Sequence, residues 1–357
     1  MSKVLRQHVN RTTTRLLRQD AKPVRIVYSP GEVPLVRFAD GGEVTGVCLA
    51  CPDVPCMEFS RSELIVNGLE QFPADQTVDV CAAGALSWDS IQNAPAVDND
   101  SCIRCGICVL RCPVGAIGLD FDEGIQINSQ PNDYFQSAEY AMDDGVVRLS
   151  VTNFNGCVRE GILVKERDEI SESLEAILQD ALSKHGPQFP NHLTRNLLLA
   201  NGIQAAMRRR GDVNLRMDLI CGTSGNGRGV VEVELVGQSL LDSPRNVLDN
   251  VAVLANRYGV PIREIAALIV NAALPNARAE YWRVLKDISS VLGIRVGSLT
   301  IQALIFLVWN RASFQLSSNN LFYADEDNPT IRQAVERAIG RPLEISEGLA
   351  AALEVAK

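Results

Sequence analysis

Residues 102–117 read CIRCGICVLRCPVGAI, and this stretch constrains the fold of the chain more tightly than any other. Four cysteines stand at C-x2-C-x2-C-x3-C, with Pro113 directly behind the last. Two-residue gaps gather thiols along one tight loop, which is the spacing of metal ligands rather than of a disulfide framework. Of the ten cysteines in 357 residues, eight lie between Cys48 and Cys112. The other two, Cys157 and Cys221, are isolated, and small buried hydrophobes are the expectation for both. The N-terminus has no apolar core of the secretory type, so a reducing cytoplasm is the expected compartment.

A second, looser half-motif precedes the first. Cys48-x2-Cys51-x4-Cys56 is followed by Cys81 in VCAAGAL, which echoes RCPVGAI around Cys112. The chain therefore carries an internal duplication, and over about residues 30–130 it resembles the bacterial-type two-cluster [4Fe–4S] ferredoxin. In that family the fourth cysteine of each run ligates the cluster of the other run. The resemblance implies one cluster on Cys48, Cys51, Cys56 and Cys112, and another on Cys102, Cys105, Cys108 and Cys81. Small residues such as Ala82, Gly84, Gly106 and Gly115 would let backbone N–H groups approach sulfur and tune the reduction potential. A zinc site fits three cysteines two residues apart and a Cys-Pro poorly. The first half-motif departs from the pattern in its x4 gap, in the 24 residues before Cys81, and in Ala82 where proline is usual. Those departures leave a single-cluster reading open.

The remaining two-thirds has another character. SESLEAILQDALSKHG has helical spacing, with Ser171 and Glu175 near its start and Gly186 as its stop, and FPNHLTRNLLLANGIQ reads as a further helix. LRMDLIC and GVVEVELV are strand-like and joined by glycine, serine and asparagine, which predicts a β-hairpin. The turn is not a phosphate-binding loop, because no Lys-Ser/Thr follows and a strand comes next. Glu232 and Glu234 share a strand face by alternation, and hairpin pairing brings Asp218 alongside. Carboxylates amid valines are costly unless exposed or coordinated. Three of them form the oxygen-rich set that Mg²⁺ or Mn²⁺ takes. The alternative is a solvated strand face with no ligand.

After the hairpin come a helix (LDSPRNVLDNVAVLANRYG), a buried strand (IAALIVNAAL), a helix (NARAEYWRVLKDISSVLG) and a second buried strand around LTIQALIFLVW. This order resembles the PD-(D/E)xK, or restriction-endonuclease-like, nuclease superfamily. The resemblance implies Asp218 and Glu232 as metal ligands, with Glu234 catalytic where lysine is usual. Arg245 or Lys286 on the following helices could supply the missing positive charge. The helix before the hairpin offers Asn196 and Asn201 where members often carry an acid.

The expected fold is thus an α+β ferredoxin-type domain followed by an α/β restriction-endonuclease-like domain with a mixed central sheet. The expected boundaries are a basic arm at 1–30, the ferredoxin domain at 31–130, a linker at 131–165, the α/β domain at 166–320 and C-terminal helices at 321–357. The arm carries seven Lys/Arg against one Asp in its first 25 residues; its arginine and threonine content resembles an organellar presequence, but a basic arm is the expectation. Net charge is −9, so no global field draws nucleic acid in. Only the arm and RRR at 208–210 are basic knots. No apolar run reaches the roughly 18 residues of a membrane span.

Two functions follow as expectations. One is a Mg-dependent phosphodiesterase or DNA-binding domain, in restriction of foreign DNA, with structural or redox-sensing clusters. The other is an electron-transfer subunit of a redox complex, whose inert C-terminal domain binds a redox partner or partner subunit. Oligomeric state is open in both.

Overall fold

The computed structural model describes residues 23–27, 35–38, 43–45, 54–90, 94–112, 117–120, 124–127, 138–143, 146–151, 168–211, 215–222, 227–235, 242–310, 312–314, 330–340, 342–343 and 352–355. The chain divides into two compact units, one of Met1–Phe59 and Asp79–Val164, the other of Ser60–Val78 and Lys165–Lys357.

The first unit is built from short antiparallel pieces. Strands β1 (Pro23–Val27), β2 (Leu35–Phe38) and β3 (Glu43–Thr45) form a three-stranded sheet. Strands β4 (Leu86–Asp89) and β5 (Ala94–Val97) pair, as do β6 (Ile117–Asp120) and β7 (Gly124–Ile127), on either side of the one-turn helix α1 (Ile107–Leu110). A third hairpin, β8 (Ala138–Asp143) with β9 (Val146–Val151), occupies part of the stretch expected to be a linker. The turn residues of PNDYFQSAEYAMDDG read as linker composition, yet the alternating AEYAMD and VVRLSV pair six residues deep.

The second unit contains helices α2 (Asp168–Lys184) and α3 (Phe189–Ala200), then β10 (Gln204–Met207), β11 (Leu219–Gly222) and β12 (Arg228–Glu234). Helix α4 (Ser243–Tyr258), β13 (Ile265–Asn271), α5 (Glu280–Leu292), β14 (Val296–Thr300), α6 (Ile301–Trp309) and α7 (Arg332–Ile339) complete it. The five strands form one mixed sheet in the order β10-β11-β12-β13-β14. The first three are antiparallel neighbours, and β12, β13 and β14 run parallel. Every residue of β13 and β14 is buried, as parallel strands covered on both faces require, and antiparallel β11 is buried throughout as well. Helix α4 lies against β12 and β13, and α3 against β10 and β12. Gly229 is fixed by close approach, since a Cβ there would run into the Ala266 carbonyl.

Two expectations give way here. The run LTIQALIFLVW is not a strand. Strand β14 ends at Thr300, whose side chain accepts the Ala303 amide at 3.1 Å and caps the buried helix α6. A continuous apolar run has no period to separate strand from helix, and the cap decides.

The second concerns Ser60–Val78, expected inside the ferredoxin domain but folded as a strap of the other unit. Its Leu64, Val66, Leu69 and Phe72 are buried. The Asn67 amide donates to Gln204 Oε1 at 3.1 Å, and Arg228 Nε donates to the Asn67 carbonyl at 3.2 Å. Further on, Asp75 N donates to Met207 O at 2.8 Å and Arg209 N to Pro73 O at 2.9 Å. Ala74 pairs with Arg208 in an antiparallel bridge. The strap thereby takes up hydrogen-bonding groups at the end of β10, a sheet-edge strand. Among the described residues no helix is long and apolar enough to cross a membrane.

Candidate functional site

Cys48 and Cys51 lie outside the described residues, as does Cys157. Cys102 and Cys105 sit on a loop whose Arg104 adopts φ 55°, a left-handed conformation uncommon for a residue with a Cβ. That turn aims the Arg104 amide at Cys102 Sγ, 3.4 Å away. Gly106, at φ 76°, then reverses the chain into α1, which carries Cys108. Cys112 is buried just beyond its end. Cys81 receives the Ala85 amide at 3.2 Å in a parallel arrangement of N–H toward sulfur. Val54, within the x4 gap of the first half-motif, is also left-handed at φ 37°, a rarer state for a β-branched side chain.

Burial and mutual repulsion act on these thiols together. Burial pushes the Cys108 thiol well up, and repulsion from Cys105, Cys102, Cys81 and Cys56 adds to it. Burial likewise raises Cys105, with Cys81 and Cys102 contributing, and raises Cys102, with Cys81 contributing. Cys56 is raised by burial and then by Cys112. Cys102 and Cys105 thus feel Cys81, 21 residues before Cys102, Cys56 feels Cys112, and Cys108 feels both Cys81 and Cys56. Buried thiols that oppose one another's ionisation are a donor set that needs a cationic centre to hold thiolates. Val80, Ile103, Ile107, Val109 and Ile117 supply an apolar coat.

In the second unit the register sets Leu219 opposite Val231, which places Asp218 opposite Glu232 one step further on. Asp218 lies just before β11 rather than on it. Its carboxylate accepts Asn191 Nδ2 at 3.0 Å and the Val233 amide at 3.1 Å. Burial raises Asp218 despite these bonds and despite Arg208 nearby. Glu232 is 8% exposed. Its two oxygens accept Asn246 Nδ2 at 3.0 Å and Asn250 Nδ2 at 2.8 Å. Burial first, then Asp218, and more weakly Glu234, push it up to about 7.

The three carboxylates predicted from the hairpin are therefore near enough to repel one another. Among the described residues, however, no group of three or more His, Cys, Asp or Glu side chains is arranged to hold a single metal ion. A four-iron cube spreads its thiolates wider than one ion would, so that finding bears on the carboxylates more than on the cysteines. Arg245 is turned to Asp242, 3.7 Å away at the surface. The cation acting on Asp218 is Arg208, whose guanidinium also donates to the Leu215 carbonyl.

Sequence reasoning missed Asn191, Asn246 and Asn250. The last two stand four residues apart, one turn of helix, and that spacing after an acidic strand was the available signal. Asn196 Oδ1 accepts from the buried Arg195 beside it, at 2.9 and 3.0 Å.

Comparison with known proteins adds to the first unit. The 4Fe-4S binding domain family matches residues 95–118. Over 73 residues the chain is 34% identical to the aliphatic sulfonate oxidoreductase, polyferredoxin-like subunit, of Pyrococcus furiosus. That match covers 20% of this chain and 30% of the relative, so the chain spans under a third of the curated protein it resembles. No solved structure matches. The chain thus contains a ferredoxin-type iron–sulfur region that binds a [4Fe–4S] cluster, joined to a mixed α/β unit.

Proposed function

We propose that this protein is an electron-transfer subunit that binds two [4Fe–4S] clusters and works with a partner redox subunit. Cys102, Cys105, Cys108 and Cys81 would hold one cluster, and Cys48, Cys51, Cys56 and Cys112 the other. The observation that carries the reading is the crossed neighbourhood, with Cys81 acting on Cys102 and Cys105 while Cys112 acts on Cys56. The clusters would supply one-electron storage at low potential. The protein's part is to hold thiolates, donate Ala85 and Arg104 amides to sulfur, and exclude water with the apolar coat. The relative is named as a subunit, which supports a partner for this chain too. In this reading the mixed α/β unit is the partner-binding part.

The test is anaerobic purification with iron and sulfide counting, followed by EPR of the dithionite-reduced protein. Two interacting S = 1/2 centres are expected. Iron for a single cluster, or a signal unchanged by Cys81→Ser, would refute the crossed arrangement.

A second reading, with restriction-endonuclease-like architecture, is favoured by one observation, the mutual repulsion of Glu232 and Glu234 on β12 and Asp218 just before β11. In it Mg²⁺ or Mn²⁺ on Asp218 and Glu232 would serve phosphodiester hydrolysis on DNA, with Glu234 beside them. The donors on both Glu232 oxygens weigh against it, since a cation would have to displace or share them. Metal-dependent plasmid cleavage that disappears in Asp218→Ala would establish it, and no cleavage with either metal would dismiss it.

A further inference from the structure

Arg111 immediately precedes Cys112, yet its side chain reaches back to the first half-motif. Its Nε donates to the Pro55 carbonyl at 2.6 Å. Its guanidinium carbon lies 4.2 Å from the centroid of the Phe59 ring. Pro55 is bonded to Cys56, and Phe59 follows three residues later. One side chain thus spans the two segments that carry Cys56 and Cys112, which are 56 positions apart in sequence.

A guanidinium keeps its charge at any ordinary pH, and stacking on an aromatic ring fixes where that charge sits. Reducing an iron–sulfur cluster adds one negative charge, so a fixed cation beside it favours the reduced state and raises the potential. At the other run Asp98 accepts the Ser101 hydroxyl at 2.7 Å, one residue before Cys102, so an anion as well as the cation of Arg104 stands close in sequence to that run.

We propose that Arg111 is a positioning and potential-setting residue. It clips the Cys56 loop to Cys112 and raises the reduction potential of the cluster held there above that of the cluster on Cys81, Cys102, Cys105 and Cys108. A single electron from a low-potential donor then settles first at the Cys56–Cys112 end, with no bond made or broken. The inference rests on the two-cluster reading above.

The experiment is an EPR-monitored dithionite titration of the full-length, cluster-loaded protein and of its Arg111→Gln, Arg111→Lys, Cys112→Ser and Cys105→Ser variants. The wild type should show two centres at separate potentials. Arg111→Gln should lower the higher potential and leave the lower in place, and Arg111→Lys, which keeps the charge, should retain most of the separation. Cys112→Ser should alter the higher-potential signal and Cys105→Ser the lower. If Arg111→Gln does not load, Arg111→Lys and the two serine variants decide the matter. The proposal is overturned if Arg111→Gln moves neither potential or both equally, or if Cys112→Ser alters the lower-potential signal. Iron for one cluster in the wild type would instead overturn the two-cluster reading, and the order of reduction with it, before any variant is compared.

Discussion

Asn250 on α4 donates its amide to Glu232 on β12 across 2.8 Å, and so joins a helix to the middle strand of the mixed sheet. Removing that donor leaves a buried carboxylate oxygen with one partner fewer. Asn250→Ala should lose about 1–3 kcal/mol at pH 8, where Glu232 is ionised, and less at pH 5. Urea unfolding in EDTA at the two values measures this. Equal losses at both would show that the helix contact matters and the charge does not.

The pH dependence of Glu232 has a definite sign. Its folded value of about 7 lies above its ordinary 4.5, so the folded state holds the proton more tightly. The stability this contributes is complete below about pH 4.5, declines through the window, and is lost above about pH 7. Its size is at most about 3 kcal/mol. Glu232→Gln should flatten the stability profile between pH 4.5 and 7 in metal-free buffer. An unchanged slope would assign the pH dependence to another group.

Replacing Cys81 or Cys108 with serine should remove the same spectroscopic centre and about half of the bound iron, because both belong to one thiol neighbourhood. Cys56→Ser should remove or alter the other centre. Iron quantitation with EPR on all three variants checks the grouping. Different centres lost in Cys81→Ser and Cys108→Ser would break it.

Leu69 lies between Cys56 and Cys81 in sequence, but it is buried in the unit that contains the five-stranded sheet. Leu69→Ala should destabilise that unit by about 2–5 kcal/mol. Far-UV circular dichroism during thermal unfolding would report it as an earlier helical transition. A silent substitution would mean that the strap rests on the sheet without supporting it.

What could be read in advance depended on how local the signal was. The run Cys102–Cys112 carries its geometry within a dozen residues, so its spacing declared the chemistry. Strand alternation likewise put Glu232 and Glu234 on one face, and the antiparallel pairing brought Asp218 opposite. The strap was illegible because its partners, Gln204 and Met207, lie more than 130 residues further on. Its own apolar residues, Leu64, Val66, Leu69 and Phe72, follow neither a helical nor a strand period. Strand β10 escaped notice for a related reason. QAAM is too short and too rich in alanine to announce itself, and it becomes a strand by pairing with β11. Arg111 was hidden because a cation next to a cysteine could turn in any direction, and only the fold shows it turned to Pro55.

The strap also bears on inheritance. The chain leaves the cysteine framework after Phe59, returns at Asp79 and leaves again after Val164. A recombination event with one junction could append a C-terminal unit to an ordinary ferredoxin, but it could not produce this weave. Any exchange of the mixed-sheet unit for another would have to carry the nineteen residues of Ser60–Val78 with it, spliced into the middle of someone else's cysteine motif. The two halves are therefore expected to descend together, and a lineage that lost one would be left with a broken copy of the other.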